Sequence, residues 1–313
     1  MTADEKKFVP VMITPFDQQV KIDREGLSRL IDFYLAAGVK GFFANCLSSE
    51  MFSITAEERI DLVRYIVDYV RGAVPVVATG SFGSGVEDQS ASVRMIHEAG
   101  VDAVILVTAH FAKAEDGDEL FLQHVEQVFS LTGNIPLGLY ECPAPYKRLV
   151  SPEIFGTLLH TNRLVYHKDT SIDPEKVKAK LDILQKTKNN KLEFYDAHAP
   201  NAMSSLQHGA KGMSCISGNF YPEIMVWICD HATDASMQDD VEWLQSEISR
   251  VDPVIHEGYP ISAKYFLKKR GLPIHLISRT YVQELTREQK KNLDQLYWDF
   301  LGWCDRLKIK PAI

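Results

Sequence analysis

The feature of this sequence that most constrains its fold is an ordered alternation of two periodicities. Short β-branched or apolar runs recur from the N-terminus to about residue 215: "FVPVMIT", "GFFANC", "PVVAT", "AVILVT", "PLGLY", "LVYHK", "LEFYD" and "GMSCI". Between them lie longer segments such as "DREGLSRLIDFYLAAG" and "DQSASVRMIHEAG". Their apolar residues return at three- and four-residue steps, the period of a helix with one buried face. Several end in glycine just before the next run, at Gly38, Gly100 and Gly209, as a left-handed C-terminal turn requires. Strand, helix and strand in series mean a parallel sheet, because parallel neighbours need a crossover between them.

Eight strands in sequence, with no Gly/Pro/Ser-rich linker among them, predict an α/β chain closed into a (β/α)8 barrel rather than an open sheet. An open doubly wound sheet would carry a glycine-rich phosphate loop after its first strand. Here that strand runs into "TPFD". After residue 220 the alternation stops, and "PEIMVWICDHA", "MQDDVEWLQSEISRV", "PISAKYFLKKRG" and "TREQKKNLDQLYWDFLGWC" all read as helices. The expected organisation is a barrel over 1–220 and a helical region over 221–313, packed on it as one structural unit.

Composition narrows the partners. The 313 residues carry a net charge of −8 with the acids spread along the chain, which argues against nucleic acid and anionic membranes. No apolar run approaches the ~20 residues of a membrane span, and "MTADEKKFVP" lacks the apolar core of a signal peptide. A cytoplasmic location is expected. The five cysteines are widely spaced without a CxxC pair, so buried free thiols are expected. Ten histidines without HxxxH or HxH spacing predict no metal.

In such a barrel the chemistry sits at the C-terminal ends of the strands. "LVYHKDT" is an apolar strand that ends in Lys168, and period-2 alternation places Leu164, Tyr166 and Lys168 on one face, with Val165 and His167 on the other. An inward lysine at the mouth is partly dehydrated, which lowers its pKa as a Schiff-base amine requires. One strand earlier, "PLGLY" ends in Tyr140 with Gly138 on the same face, and a phenol there can shuttle protons. From the residues alone, a solvated surface lysine and a core tyrosine are the competing readings.

The chain as a whole resembles the dihydrodipicolinate synthase / N-acetylneuraminate lyase family of Schiff-base, pyruvate-dependent class I aldolases. The likeness runs from about residue 8 to 290 through "VMITPFD", "CLSSEMFSITAEER", "VTAHFAK", "LYECPAP", "VYHKDTSID" and "HGAKGMSCISGNFYPE", in the family's order. The resemblance implies Lys168 as the Schiff-base nucleophile, Tyr140 as the proton shuttle and Ser48 as a hydroxyl of the substrate-carboxylate loop. Backbone N–H groups near Ser48 and Ser49 would help cradle that carboxylate, and Ser214 belongs to the expected substrate-binding set. Three positions depart from the pattern. Leu47 replaces a Ser or Thr, Phe111 replaces a relay tyrosine, and Pro145 replaces an arginine that grips the second substrate. None of the three can donate a hydrogen bond from its side chain, which argues for a different second substrate. After the seventh strand Ala199 and Pro200 stand where sugar-acid lyases carry acids; His198, Asp196 and His110 are the candidates to replace them.

The implied activity is a lyase that forms an imine with pyruvate or a 2-keto acid, without a cofactor, as a homo-oligomer of tetrameric type. Dehydration of a sugar acid, hydratase-aldolase chemistry through the same imine, and a keto-acid-binding protein without turnover are the alternatives. Two weaker motifs have plain readings: "TGSFGSG" (79–85) as a βα turn, and "KKRG" (268–271) as a helix end whose cations suit its dipole.

Overall fold

The computed structural model describes residues 5–188 and 190–313; Met1–Asp4, on which part of the N-terminal reading rests, lie outside the described residues. Eight strands appear in the expected order, seven of them on the expected runs and the first at the start of its run. They are β1 (Lys7–Phe8), β2 (Phe42–Ala44), β3 (Val76–Thr79), β4 (Ala103–Val107), β5 (Leu137–Tyr140), β6 (Leu164–Asp169), β7 (Glu193–Asp196) and β8 (Gly212–Met213). Helices follow each strand: α1 (Arg24–Ala36), α2 (Ala56–Val70), α3 (Val86–Glu98), α4 (Asp118–Leu131), α5 (Pro152–Leu159), α6 (Pro174–Lys186), α7 (Ala202–Gln207) and α8 (Pro222–His231). The C-terminal region adds α9 (Gln238–His256), α10 (Ile261–Arg270) and α11 (Arg287–Leu307).

All strand pairs are parallel, in the order β1-β8-β7-β6-β5-β4-β3-β2. A parallel bridge from Val11 to Phe43 joins the two ends, with Phe43 N donating to the Pro10 carbonyl and Met12 N to that of Phe43, both at 3.0 Å. The sheet is therefore a closed (β/α)8 barrel. The helices start where their caps dictate: Asp23, Thr55, Ser151 and Asp173 each accept from a backbone N–H of the first turn. Gly38 and Gly100 take φ of +87° and +97° at the ends of α1 and α3, which side chains with a Cβ rarely adopt.

The apolar residues form two layers. A small inner cluster fills the barrel, including Val9, Phe43, Ile105, Tyr140, Tyr166 and Tyr195. A larger outer cluster joins the sheet to the helices and runs on through Phe220, Phe266, Phe300 and Trp303 of the C-terminal region. All five cysteines are buried and free, as their spacing implied. Among the described residues, no helix is long and apolar enough to cross a membrane.

Two local expectations need correction. Leu164 does not share a face with Tyr166 and Lys168. The register passes from Leu137↔Leu164 to Gly138↔Tyr166, so Val165 is an extra residue in β6. This bulge turns Leu164 outward and lets Val165 pack against the inner cluster. The second correction concerns α9, whose pattern fades at Val251 but which continues through Pro253 to His256. Proline removes one donor without stopping the helix, and the added turn brings Asp252 and His256 toward the barrel mouth.

Candidate active site

The C-terminal mouth of the barrel opens into a cavity of about 410 Å³ that contains Lys168 and Tyr140 in its wall. The two are register partners on adjacent strands. Gly138 makes their seam possible: a Cβ there would lie 2.6 Å from Ile105 Cδ1 and 2.7 Å from Tyr166 Cβ. The Lys168 amine lies 4.5 Å from the centre of the Tyr140 ring and 5.4 Å from that of Phe43. Tyr166 and Tyr195 stack 4.6 Å apart in the same interior layer, and Phe43 meets Tyr166 edge-on.

This apolar surround sets the electrostatics. Burial lowers the Lys168 pKa, while the neighbouring thiols of Cys46, Cys142 and Cys215 pull it the other way. Burial also pushes the Tyr140 phenol well above its ordinary range, so it stays protonated as a donor. Three lysines are at most 4% exposed: Lys168, Lys180 and Lys264. Lys180 pairs with Glu141 and Asp169, and Lys264 pairs with Glu50. Among the described residues, no carboxylate pairs with Lys168. A buried amine without a counter-charge costs stability, and it is the form a nucleophile needs.

Of the other residues singled out from sequence, Leu47, Ser48, His198 and Ser214 line this cavity. Ser214 is wholly buried with its hydroxyl unpartnered, and His198 Nδ1 is likewise unpartnered. Ser49 does not line it. Its hydroxyl donates to the Met12 carbonyl at 2.6 Å and its N–H to that of Cys46, so it braces the loop from below. Phe111 and Pro145 face a different, wider hollow of about 920 Å³ that does not include Lys168. Phe111 is buried in the outer core there. His110 lines the same hollow, with Nδ1 2.5 Å from the Ser81 carbonyl. Asp196 is wholly buried, spent on Ser205 Oγ (2.6 Å) and His198 N (2.8 Å), with its carboxyl pushed up to about 6 by burial.

The structure adds residues that sequence reasoning missed. Tyr259, between α9 and α10, brings its ring to the cavity wall. Its hydroxyl accepts from Asn219 Nδ2 at 2.7 Å, and the same amide nitrogen donates to the Val11 carbonyl at 2.8 Å. The Ser48 hydroxyl lies beside the Tyr259 phenol, whose pKa burial raises well above its ordinary range. Lys147, from the loop after β5, also stands in the wall. Neither had a periodic signal, since both sit in loops that only the closed barrel brings together.

A buried, unpaired lysine beside a protonated tyrosine at the mouth of a (β/α)8 barrel is the arrangement that class I aldolase chemistry needs. The chain belongs to the dihydrodipicolinate synthetase family, whose model matches residues 4–297. It is therefore a lyase. The 4-hydroxy-tetrahydrodipicolinate synthase of Oceanobacillus iheyensis is 29% identical over 301 residues, 94% of this chain and 97% of that protein. The enzyme of the same name from Stutzerimonas stutzeri is 26% identical, over 90% of this chain and 96% of its own length. Among solved structures, YagE, a prophage protein of the family from E. coli K12 in complex with pyruvate, superposes with a TM-score of 0.84. It is 20% identical, and the match covers 95% of this chain and 98% of YagE.

Proposed function

We propose that the chain forms an imine between Lys168 and pyruvate or another 2-keto acid and uses it to make or break a carbon–carbon bond. The observation that carries this reading is the contrast among the buried lysines: two are neutralised by carboxylates, and the one at the cavity is not. The neutral amine adds to the keto carbon. Tyr140 gives a proton to the departing hydroxyl and water leaves; the protonated imine then accepts the electron pair of a C–H or C–C bond at the neighbouring carbon, and the Tyr140 phenolate takes up the proton that step releases. The Ser48 and Tyr259 hydroxyls, both in the cavity wall, would hold the carboxylate. The imine supplies the electron sink, so no cofactor is required.

The second substrate differs from that of the synthases named above. Leu47 leaves the cavity wall near Ser48 without a hydroxyl. Incubation with pyruvate and borohydride, followed by mass spectrometry, tests the reading. A reduced pyruvate adduct on Lys168 is expected; no adduct with pyruvate or with a panel of 2-keto acids removes it. A cytoplasmic homo-oligomer of tetrameric type completes the reading. One structure of the same fold is described as a monomeric dihydrodipicolinate synthase variant (TM-score 0.85, 18% identical), so light scattering on this chain decides its assembly.

A further inference from the structure

The outer side of the β5–β6 seam carries a buried ion cluster that the imine reading does not use. Tyr140 and Lys168 point into the barrel, and their sequence neighbours Glu141 and Asp169 lie behind it, both wholly buried. Lys180 reaches in from α6, its amine 2.5 Å from Glu141 Oε1 and 2.7 Å from Asp169 Oδ2. Burial disfavours the ammonium, yet the two carboxylates outweigh that and hold Lys180 above its ordinary pKa range. Glu141, His167 and Asp169 offer ligand atoms within 4.8 Å of one another, as a cation site would. The Lys180 ammonium already fills that place.

The remaining carboxylate valences go to backbone N–H groups and one hydroxyl. Glu141 accepts from Val150 N at 2.9 Å and Thr170 N at 3.0 Å, and Asp169 accepts from Ser171 N at 2.7 Å and Ser171 Oγ at 2.6 Å. Thr170 Oγ1 donates back to the Glu141 carbonyl. One side chain thus closes the loop 141–150, which carries Pro143 and Lys147 into the cavity wall, onto the end of β6. Every tie falls within three residues of Lys168 or at the loop that begins beside Tyr140. A buried ion pair adds little stability over an apolar replacement of the same volume. What it fixes is position.

We infer that Glu141 and Lys180 are positioning residues for the Tyr140–Lys168 pair, acting from outside the barrel wall. Their removal lets the two strand ends shift relative to each other, and displacements near 1 Å at reacting groups cost roughly 100-fold in rate. The kinetic arm of the test rests on the imine reading; the exchange arm does not.

The test uses the full-length protein and its Glu141→Gln variant, which keeps side-chain shape while removing the charge, with Lys180→Met as the second variant. The rate of borohydride-trapped adduct on Lys168 is measured against pyruvate concentration, well below each melting midpoint. The maximal rate should fall about 10- to 100-fold, while the half-saturating pyruvate concentration stays within about twofold, because the Ser48 side of the cavity is untouched. Hydrogen exchange should quicken in peptides spanning 141–150 and 164–172. A folded Glu141→Gln protein that traps at the wild-type rate overturns the inference. If the wild-type chain forms no adduct, the imine reading alone fails, and exchange decides: unchanged protection in both segments of the variant overturns positioning.

Discussion

Lys168 is a residue whose chemistry and stability pull in opposite directions. Its lowered pKa comes from burial, so the folded protein disfavours the charge that the unfolded chain keeps up to pH ~10.4. Lys168→Met should abolish the borohydride-trapped adduct and raise the melting midpoint, by roughly 1.5 °C for each kcal/mol regained in a chain of this length. Adduct formation should rise with pH and level off below the ordinary lysine range, since the neutral amine is the nucleophile. Tyr140→Phe should lower turnover about 10²- to 10⁴-fold, the usual contribution of a general acid–base group, measured as kcat with the adduct still detectable. At this scale the sequence was most legible. Tyr140 ends β5, Lys168 is the next-to-last residue of β6, and period 2 held from Tyr166 to Asp169.

Elements were legible in kind and order, less so in their irregularities. Seven of the eight strands and the four helices after residue 220 lie where the apolar periods put them, while β1 (Lys7–Phe8) reaches only the first residue of "FVPVMIT". The bulge at Val165 and the passage of α9 through Pro253 did not show, because each depends on what packs against the element. Gly138 expresses the same dependence in a testable way. Gly138→Ala would set a Cβ 2.9 Å from the Tyr166 carbonyl oxygen, a backbone atom that cannot swing aside. The variant should lose about 1–3 kcal/mol, as over-packed cores do, in urea unfolding at 25 °C. Its adduct formation should slow as well, because β5 and β6 carry Tyr140 and Lys168.

The whole molecule is joined by charges that sequence distance hides. Glu50 follows the Ser48 loop and accepts from Ser278 Oγ, Arg279 N and Thr280 N, with the Lys264 amine 3.4 Å away. Arg270 and Glu223 tie α10 to α8 beneath the rings of Phe33 and Phe300. We propose that barrel and C-terminal helices unfold together. One calorimetric transition is expected, and truncation after residue 220 should give no folded barrel by circular dichroism, since the outer core would lose Phe266, Phe300 and Trp303. Burial lowers the Lys264 pKa from 10.5 to about 8. Between those values the unfolded chain binds more protons than the folded one, so rising pH relieves the penalty. Wild type should therefore gain stability relative to Lys264→Met as pH goes from 8 to 10, by up to about 3 kcal/mol across the full window, read from paired urea titrations.

Sequence alone determined the barrel, its closure with appended helices, and the strand-end lysine and tyrosine. Those follow from local period and residue type, which each segment carries by itself. Tertiary structure decided that Lys168 is unpaired while Lys180 and Lys264 are not. It also decided that Ser49, Phe111 and Pro145 lie outside the cavity, and that Tyr259 and Lys147 stand in its wall. Whether a buried charge meets a partner depends on residues far away in the chain, and only packing brings those within a few ångströms.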